Sequence, residues 1–167
     1  MKIKSLRDLY IHVLQDLYSA EKQLARALPR MVRAATNEDL VAALEEHHGQ
    51  TEEHVERLER LLEALGSPKR AEKCEGMEGL IAECERLIEQ DIAKEVLDAA
   101  LIGIAQKIEH YEIASYGTVR TFAEILGEDE AAKTLQATLD EEIETDERFT
   151  ELAEDTVNAE AETADSE

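Results

Sequence analysis

Apolar positions recur every three or four residues through most of the chain, a period that predicts amphipathic helices and no strands. A first long helix is predicted from about Leu6 to Ala35, opened by a capping-box-like Ser5 and Asp8 and kinked by Pro29. Thr36 and Asn37 make a tight connection. The second helix carries Leu40, Leu44, His47, Thr51, His54, Leu58, Leu61 and Leu65 on one face and stops at Gly66 and Pro68. A longer connection follows. It contains Cys74, Gly76 and Gly79 and a short amphipathic helix marked by Leu80, Ile81, Cys84, Leu87 and Ile88. A third long helix is expected from near Glu95 to Leu126, closed by Gly127, and a fourth from Glu128 and Asp129 to near Asp155.

The loop lengths set the topology. Tight connections make two antiparallel hairpins, and the long one between them can cross the bundle. That predicts an all-α, ferritin-like four-helix bundle with a short extra helix, rather than a plain up-down-up-down bundle. Residues 1–157 form one helical bundle domain. Residues 158–167 are acidic and poor in apolar side chains, and are expected to be a disordered tail.

Polar residues interrupt the apolar stripes. Leu135, Leu139, Glu142, Asp146, Phe149 and Ala153 share one face, as do Leu101, Ile102, Ala105, Glu109, Glu112, Tyr116 and Val119. Glu21 falls between Leu17, Leu24 and Leu28. A buried carboxylate is costly unless paired, protonated or metal-bound, so several aimed at one core imply a cation there. Candidate metal ligands are Glu21 on the first helix, His47, Gln50 and His54 on the second, Glu109 and Glu112 on the third, and Glu142 and Asp146 on the fourth. Hard oxygen ligands with one or two imidazoles suit iron or manganese and would accept zinc. The usual inward Glu-x-x-His is missing, because in Glu45-x-x-His48 the histidine lies off the stripe.

Plainer readings stand beside these. Glu21 could be a surface residue at a stripe edge, and His54, among Glu52, Glu53 and Glu56, is as readily a solvated histidine in an ion-pair belt as a ligand. His12 reads as structural or surface, and His110 as a flank or interface residue. Tyr10, Tyr18, Tyr111 and Tyr116 read as core or interface aromatics with hydroxyls at the rim. Cys74 and Cys84 read as small buried or half-buried thiols. Agreement between helices favours the metal reading.

A net charge of −22 makes nucleic acid and anionic membranes poor partners. It fits a salt-rich cytoplasm or a solubility device. No long uncharged apolar run predicts a membrane span, and the N-terminus does not look like a secretory signal, so a cytoplasmic protein is expected.

The run Gln106-Lys107-Ile108-Glu109-His110-Tyr111-Glu112-Ile113-Ala114-Ser115-Tyr116-Gly117-Thr118 is distinctive. So are Tyr18-Ser19-Ala20-Glu21-Lys22-Gln23-Leu24, Gly76-Met77-Glu78-Gly79-Leu80-Ile81 and Leu139-Asp140-Glu141-Glu142. From about Ser5 to Val157 the chain resembles the YciF/YciE family of the ferritin superfamily. The resemblance implies a bundle with a fifth helical element, a homodimer, a rubrerythrin-like metal site and a role in stress responses. It also implies a helix-2 histidine followed three residues later by a carboxylate. His47 matches, but the later position is Gln50, and His54 is the residue that could compensate.

The function expected is a di-metal carboxylate protein, with two iron ions or two manganese ions. It would reduce peroxide or dioxygen with a separate electron donor, since rubredoxin-type cysteine pairs are missing. Glu21, Glu109 or Glu142 would bridge, and Glu112, Asp146, His47 and Gln50 would be terminal. The alternative is a non-catalytic structural or interaction dimer with a vestigial or structural metal.

Overall fold

The helices form where their caps place them. The computed structural model describes residues 3–68 and 72–164. In chain order the helices are α1 (Leu6–Ala34), α2 (Glu38–Ala64), α3 (Glu75–Ile88), α4 (Lys94–Ile125) and α5 (Asp129–Leu152), then a π-helical turn (Ala153–Val157) and α6 (Asn158–Thr163). No strand occurs among the described residues. The Ser5 hydroxyl accepts from the Asp8 amide at 3.1 Å, and the Asp8 carboxylate accepts from the Ser5 amide at 3.0 Å, completing the capping box. Gly66 (φ 62°) and Gly127 (φ 73°) supply the left-handed residues that close α2 and α4.

Cross-helix contacts give the order. Along α1 and α4 they run from Arg7–Glu128, through Tyr116–Glu21, to Thr36–Asp98, so the two helices are antiparallel. Along α2 and α5 they run from Glu46–Arg148, through Gln50–Thr145 and His54–Glu141, to Arg57–Thr138, again antiparallel. With antiparallel hairpins α1–α2 and α4–α5, the chain must return along the bundle between α2 and α4, the crossover that its length allows. α3 lies on that return, against α1 and α4. Arg30 on α1 holds Glu85 and Glu89 at 3.2 and 2.9 Å, and Lys107 on α4 holds Glu83 at 2.7 Å. α3 packs closely: a Cβ on Gly76 would sit 2.8 Å from the Tyr111 ring. Cys74 and Cys84 are both free and buried.

The apolar core falls into two halves. One gathers Leu24, Leu28, Leu44, Ile108 and Phe149; the other gathers Leu14, Leu17, Leu58, Tyr116 and Leu135. Glu21, His47, His54, Glu109, Glu112 and Glu142 occupy the layer between them. Each half excludes water from one side of that layer, so charges there feel a low dielectric.

Pro29 lies inside α1 and has no amide proton to give the Ala25 carbonyl. His48 supplies the missing donor: its Nε2 is 3.0 Å from the Ala25 oxygen. This histidine, off the stripe, joins α2 to the proline turn of α1. His48→Ala is expected to cost about 1–2 kcal/mol, the order of an unsatisfied backbone acceptor. In a Pro29→Ala background, where the helix restores its own bond, the loss should shrink. Urea unfolding of the four proteins measures the coupling.

The C-terminal expectation needs correction. Residues 158–164 are not a disordered tail. α5 widens into the π turn, Val157 is fully buried, and α6 carries Glu160 to within 3.1 Å of the Asn37 side chain. α6 buries no residue of its own, and the Asn37–Glu160 hydrogen bond ties it to the start of α2. Residues 165–167 of that expected tail lie outside the described residues.

Candidate metal centre

All four long helices send polar side chains into the layer between the apolar halves. α1 gives Glu21, α2 gives His47 and His54, α4 gives Glu109 and Glu112, and α5 gives Glu142. All six are at most 1 % exposed. Their ligand atoms form two groups, His47–Glu109–Glu112–Glu142 and Glu21–His54–Glu142, within each of which the atoms lie within 4.8 Å of one another. Glu142 belongs to both. His47 and His54 are seven residues apart, about two turns, which holds both rings on one face.

The cluster is short of hydrogen bonds. Both carboxylate oxygens of Glu109, Glu112 and Glu142, one oxygen of Glu21, both nitrogens of His47 and Nδ1 of His54 have no hydrogen-bond partner. His47 Nε2 lies 3.0 Å from Glu109 Oε1, and His54 Nδ1 lies 3.0 Å from Glu142 Oε1, without hydrogen-bond geometry. Ordinary interiors satisfy such atoms. A donor set of buried, converging carboxylates and imidazoles fits divalent cations, and the orphaned atoms are those a cation would engage.

The charges respond to burial and to one another. Burial, reinforced by neighbouring carboxylates, pushes the Glu109 and Glu112 carboxyls well above their usual range, and Glu21 also rises. Burial would lower His54, but the carboxylates of Glu142 and Glu21 outweigh it and push the imidazole up to about 11. Burial of Glu142 is likewise outweighed by the charge on His54, which keeps that carboxyl low. His47, with burial as the main influence, is lowered. His54 therefore serves as the internal cation of the metal-free cluster.

Support reaches outward from two ligand candidates. His54 Nε2 is 2.7 Å from Glu141 Oε2, and Arg57 grips both Glu141 oxygens at 2.7 and 2.9 Å. The Tyr116 hydroxyl donates to Glu21 Oε1. Tyr116 is 1 % exposed, so its hydroxyl belongs to the cluster and not to the rim. In the sequence Tyr116 shares the carboxylate stripe, but no pattern within α5 marks Glu141 as the partner of His54.

Of the eight ligand candidates, six converge and two do not. Gln50 is half-buried, and its Oε1 accepts from the Thr145 hydroxyl at 3.2 Å. A three-residue step from His47 leaves it about 60° off the inward direction, toward α5. Asp146 is also outside both groups. It accepts from Gln106 Nε2 at 3.2 Å and lies 3.5 Å from His110 Nε2. It sits about 40° from Glu142, and Phe149 fills the inward position next along the helix. His54 is fully buried within the second group, not in a solvated ion-pair belt.

Comparisons with known proteins agree with this architecture. The chain belongs to the family described as Domain of unknown function (DUF892), which matches residues 5–162. It is 50% identical to Protein YciF of Escherichia coli (strain K12) over 163 residues, 97% of this chain and 98% of that protein. The crystal structure of the E. coli stress protein YciF superposes with a TM-score of 0.89 at 49% identity, covering 93% of this chain and 99% of that one. YcfI of Rhodopseudomonas palustris gives a TM-score of 0.86 at 39% identity, over 89% of this chain and 95% of that one. No described helix is long and apolar enough to cross a membrane.

Proposed function

From its place in that family and from the cluster, we propose that this chain holds two divalent cations, iron or manganese, and reduces peroxide or dioxygen in a stress response. The observation that carries the reading is the set of buried carboxylate and imidazole atoms without hydrogen-bond partners, drawn from four helices and sharing Glu142. The bound metals would supply the electrons for a two-electron reduction, replenished by a separate donor. Glu142, common to both groups, would serve both positions; Glu21 and His54 would hold one, and His47, Glu109 and Glu112 the other. Gln50 and Asp146 are left out of the ligand set. The apolar layers on either side exclude bulk water, and Tyr116 fixes the Glu21 carboxylate. A homodimer, implied by the family resemblance, is part of this reading, and light scattering tests it.

One observation favours the non-catalytic alternative. His54 lies between Glu142 and the Glu141–Arg57 pair, where its protonated form would neutralise part of the cluster without metal. Anaerobic addition of ferrous or manganous ion to apoprotein separates the readings. Two ions per chain followed by peroxide consumption with an added reductant supports the redox protein. Tight binding with no turnover supports the structural reading, and no binding overturns both.

Loading should also release protons. Glu109 and Glu112 have raised pKa values, so in the metal-free fold they retain protons above the usual carboxyl range. His54 keeps its proton up to about 11. Cations must displace these protons, so affinity should climb as pH rises above the usual carboxyl range and go on climbing toward 11. An indicator dye in weak buffer reads the released acid. Stability of the apoprotein has the opposite slope. The stabilisation that the two raised carboxyls contribute is fully present below their unfolded value, near 4.5, and fades as pH rises through their folded values.

A further inference from the structure

We infer that the cleft between α2 and α5 above His47 is the route by which divalent cations enter the buried cluster. The inference rests on the metal-centre reading and goes beyond it, to residues that hold no metal. A cavity of about 140 Å³ opens there. His47 forms its inner wall, 1 % exposed, with Nδ1 free of any hydrogen-bond partner. The cavity therefore ends on a residue of the first group, whose Nε2 lies 3.0 Å from Glu109 Oε1. Larger space exists elsewhere, but the cavity beside Cys74 and Tyr111 touches no cluster residue, nor does the narrow one between Met31 and Ile108.

The lining suits a cation. Glu46 and Glu144 place carboxylates at the mouth, and Arg148 ties Glu46 across from α5 to α2. Both partners of that ion pair are exposed, at 43% and 57%, so solvent screens it and it opens at little cost. Below the pair, the hydrogen bond from the Thr145 hydroxyl to Gln50 Oε1 narrows the passage beside His47. The volume accommodates roughly four or five waters at about 30 Å³ each, so an ion passes with part of its hydration shell removed. The amide of Gln50 offers a neutral oxygen on the way in. A carboxylate there would hold a hard cation more strongly and hinder its passage to the deeper ligands.

The test is the rate of cobalt(II) uptake by apoprotein, followed by stopped-flow absorbance, with equilibrium affinity from competition against a chelator. Arg148→Ala, which unties the mouth, is expected to speed association and dissociation several-fold together, with affinity unchanged within about twofold. Glu46→Gln with Glu144→Gln should slow association several-fold at low ionic strength, the difference shrinking in high salt as screening grows. Both variants change exposed side chains, and circular dichroism checks their folding. Wild-type rates in both variants overturn the route. So does a change in affinity carried entirely by dissociation, which would place these residues at the bound state and not on the path. If wild-type apoprotein takes up no cobalt, the metal-centre reading itself fails. Altered rates in a protein that loads cannot be mistaken for that outcome.

Discussion

Glu142→Ala is expected to abolish tight cation binding at both positions while the protein stays folded. Glu142 is the residue common to the two ligand groups, so its loss leaves each group without a member. The effect should exceed the roughly 10–100-fold that removing an outer hydrogen-bond partner costs a metal site. Glu21→Ala should weaken only the position it shares with His54, and Glu112→Ala only the position it shares with His47. Asp146→Ala should leave the metal count unchanged, because that side chain pairs with Gln106 and His110 outside both groups. Folding should survive in Glu142→Ala for an electrostatic reason. The carboxylate is buried with no hydrogen bond to either oxygen, and removing it takes away its own repulsion of Glu21, Glu109 and Glu112. Its partner His54 loses a charge that held its pKa high and can shed its proton. Elemental analysis after anaerobic loading, with thermal melts of the apoproteins, checks the series. Two ions per chain in Glu142→Ala would sink the assignment of a shared carboxylate.

The fold was legible because its signals are local and redundant. The Ser5–Asp8 box, the glycines at 66 and 127 and the period of the leucines each mark a boundary that cooperates with the others. The site was legible wherever a charged residue fell on a buried stripe, as with Glu21, Glu109, Glu112 and Glu142. It blurred where angular position mattered more than membership of a stripe. Gln50 and Asp146 are each one turn from a true inward residue, yet offsets of about 60° and 40° turn them toward a neighbouring helix. A step of seven residues holds direction better than a step of three or four, and this favours His54 over Gln50 as the companion of His47. Partners from other helices were not legible. The grip of Arg57 on Glu141, and of Glu141 on His54, depends on how α2 and α5 are staggered, which no pattern within one helix records. The helical end of the chain was not legible in composition, which is acidic and poor in apolar side chains, because α6 forms without burying a residue of its own.

Asp98→Ala is expected to be strongly destabilising for a change outside the apolar core, at about 1–3 kcal/mol, the range for leaving hydrogen-bond donors without their acceptor. Asp98 extends the apolar face of α4 by one turn before Leu101 and Ile102, and it is only 2 % exposed. One oxygen accepts from the Thr36 amide at 2.8 Å; the other accepts from the Thr36 hydroxyl at 2.7 Å and the Asn37 amide at 2.9 Å. These amides lie in the tight turn between α1 and α2, which no helical bond satisfies. A single carboxylate thus fastens the first hairpin to the start of the second, at the end of the bundle where the crossover arrives. Its negative charge also sits beside the N-terminus of α2, where the helix dipole favours it. Truncation would leave two part-buried amides of the turn and a hydroxyl without this acceptor. Asp98→Asn keeps one acceptor oxygen and should recover part of the loss, since its amide nitrogen cannot accept. Urea unfolding at neutral pH would show a lowered midpoint with little change in slope if only stability is affected. A loss below about 1 kcal/mol would mean that water replaces the carboxylate in the turn.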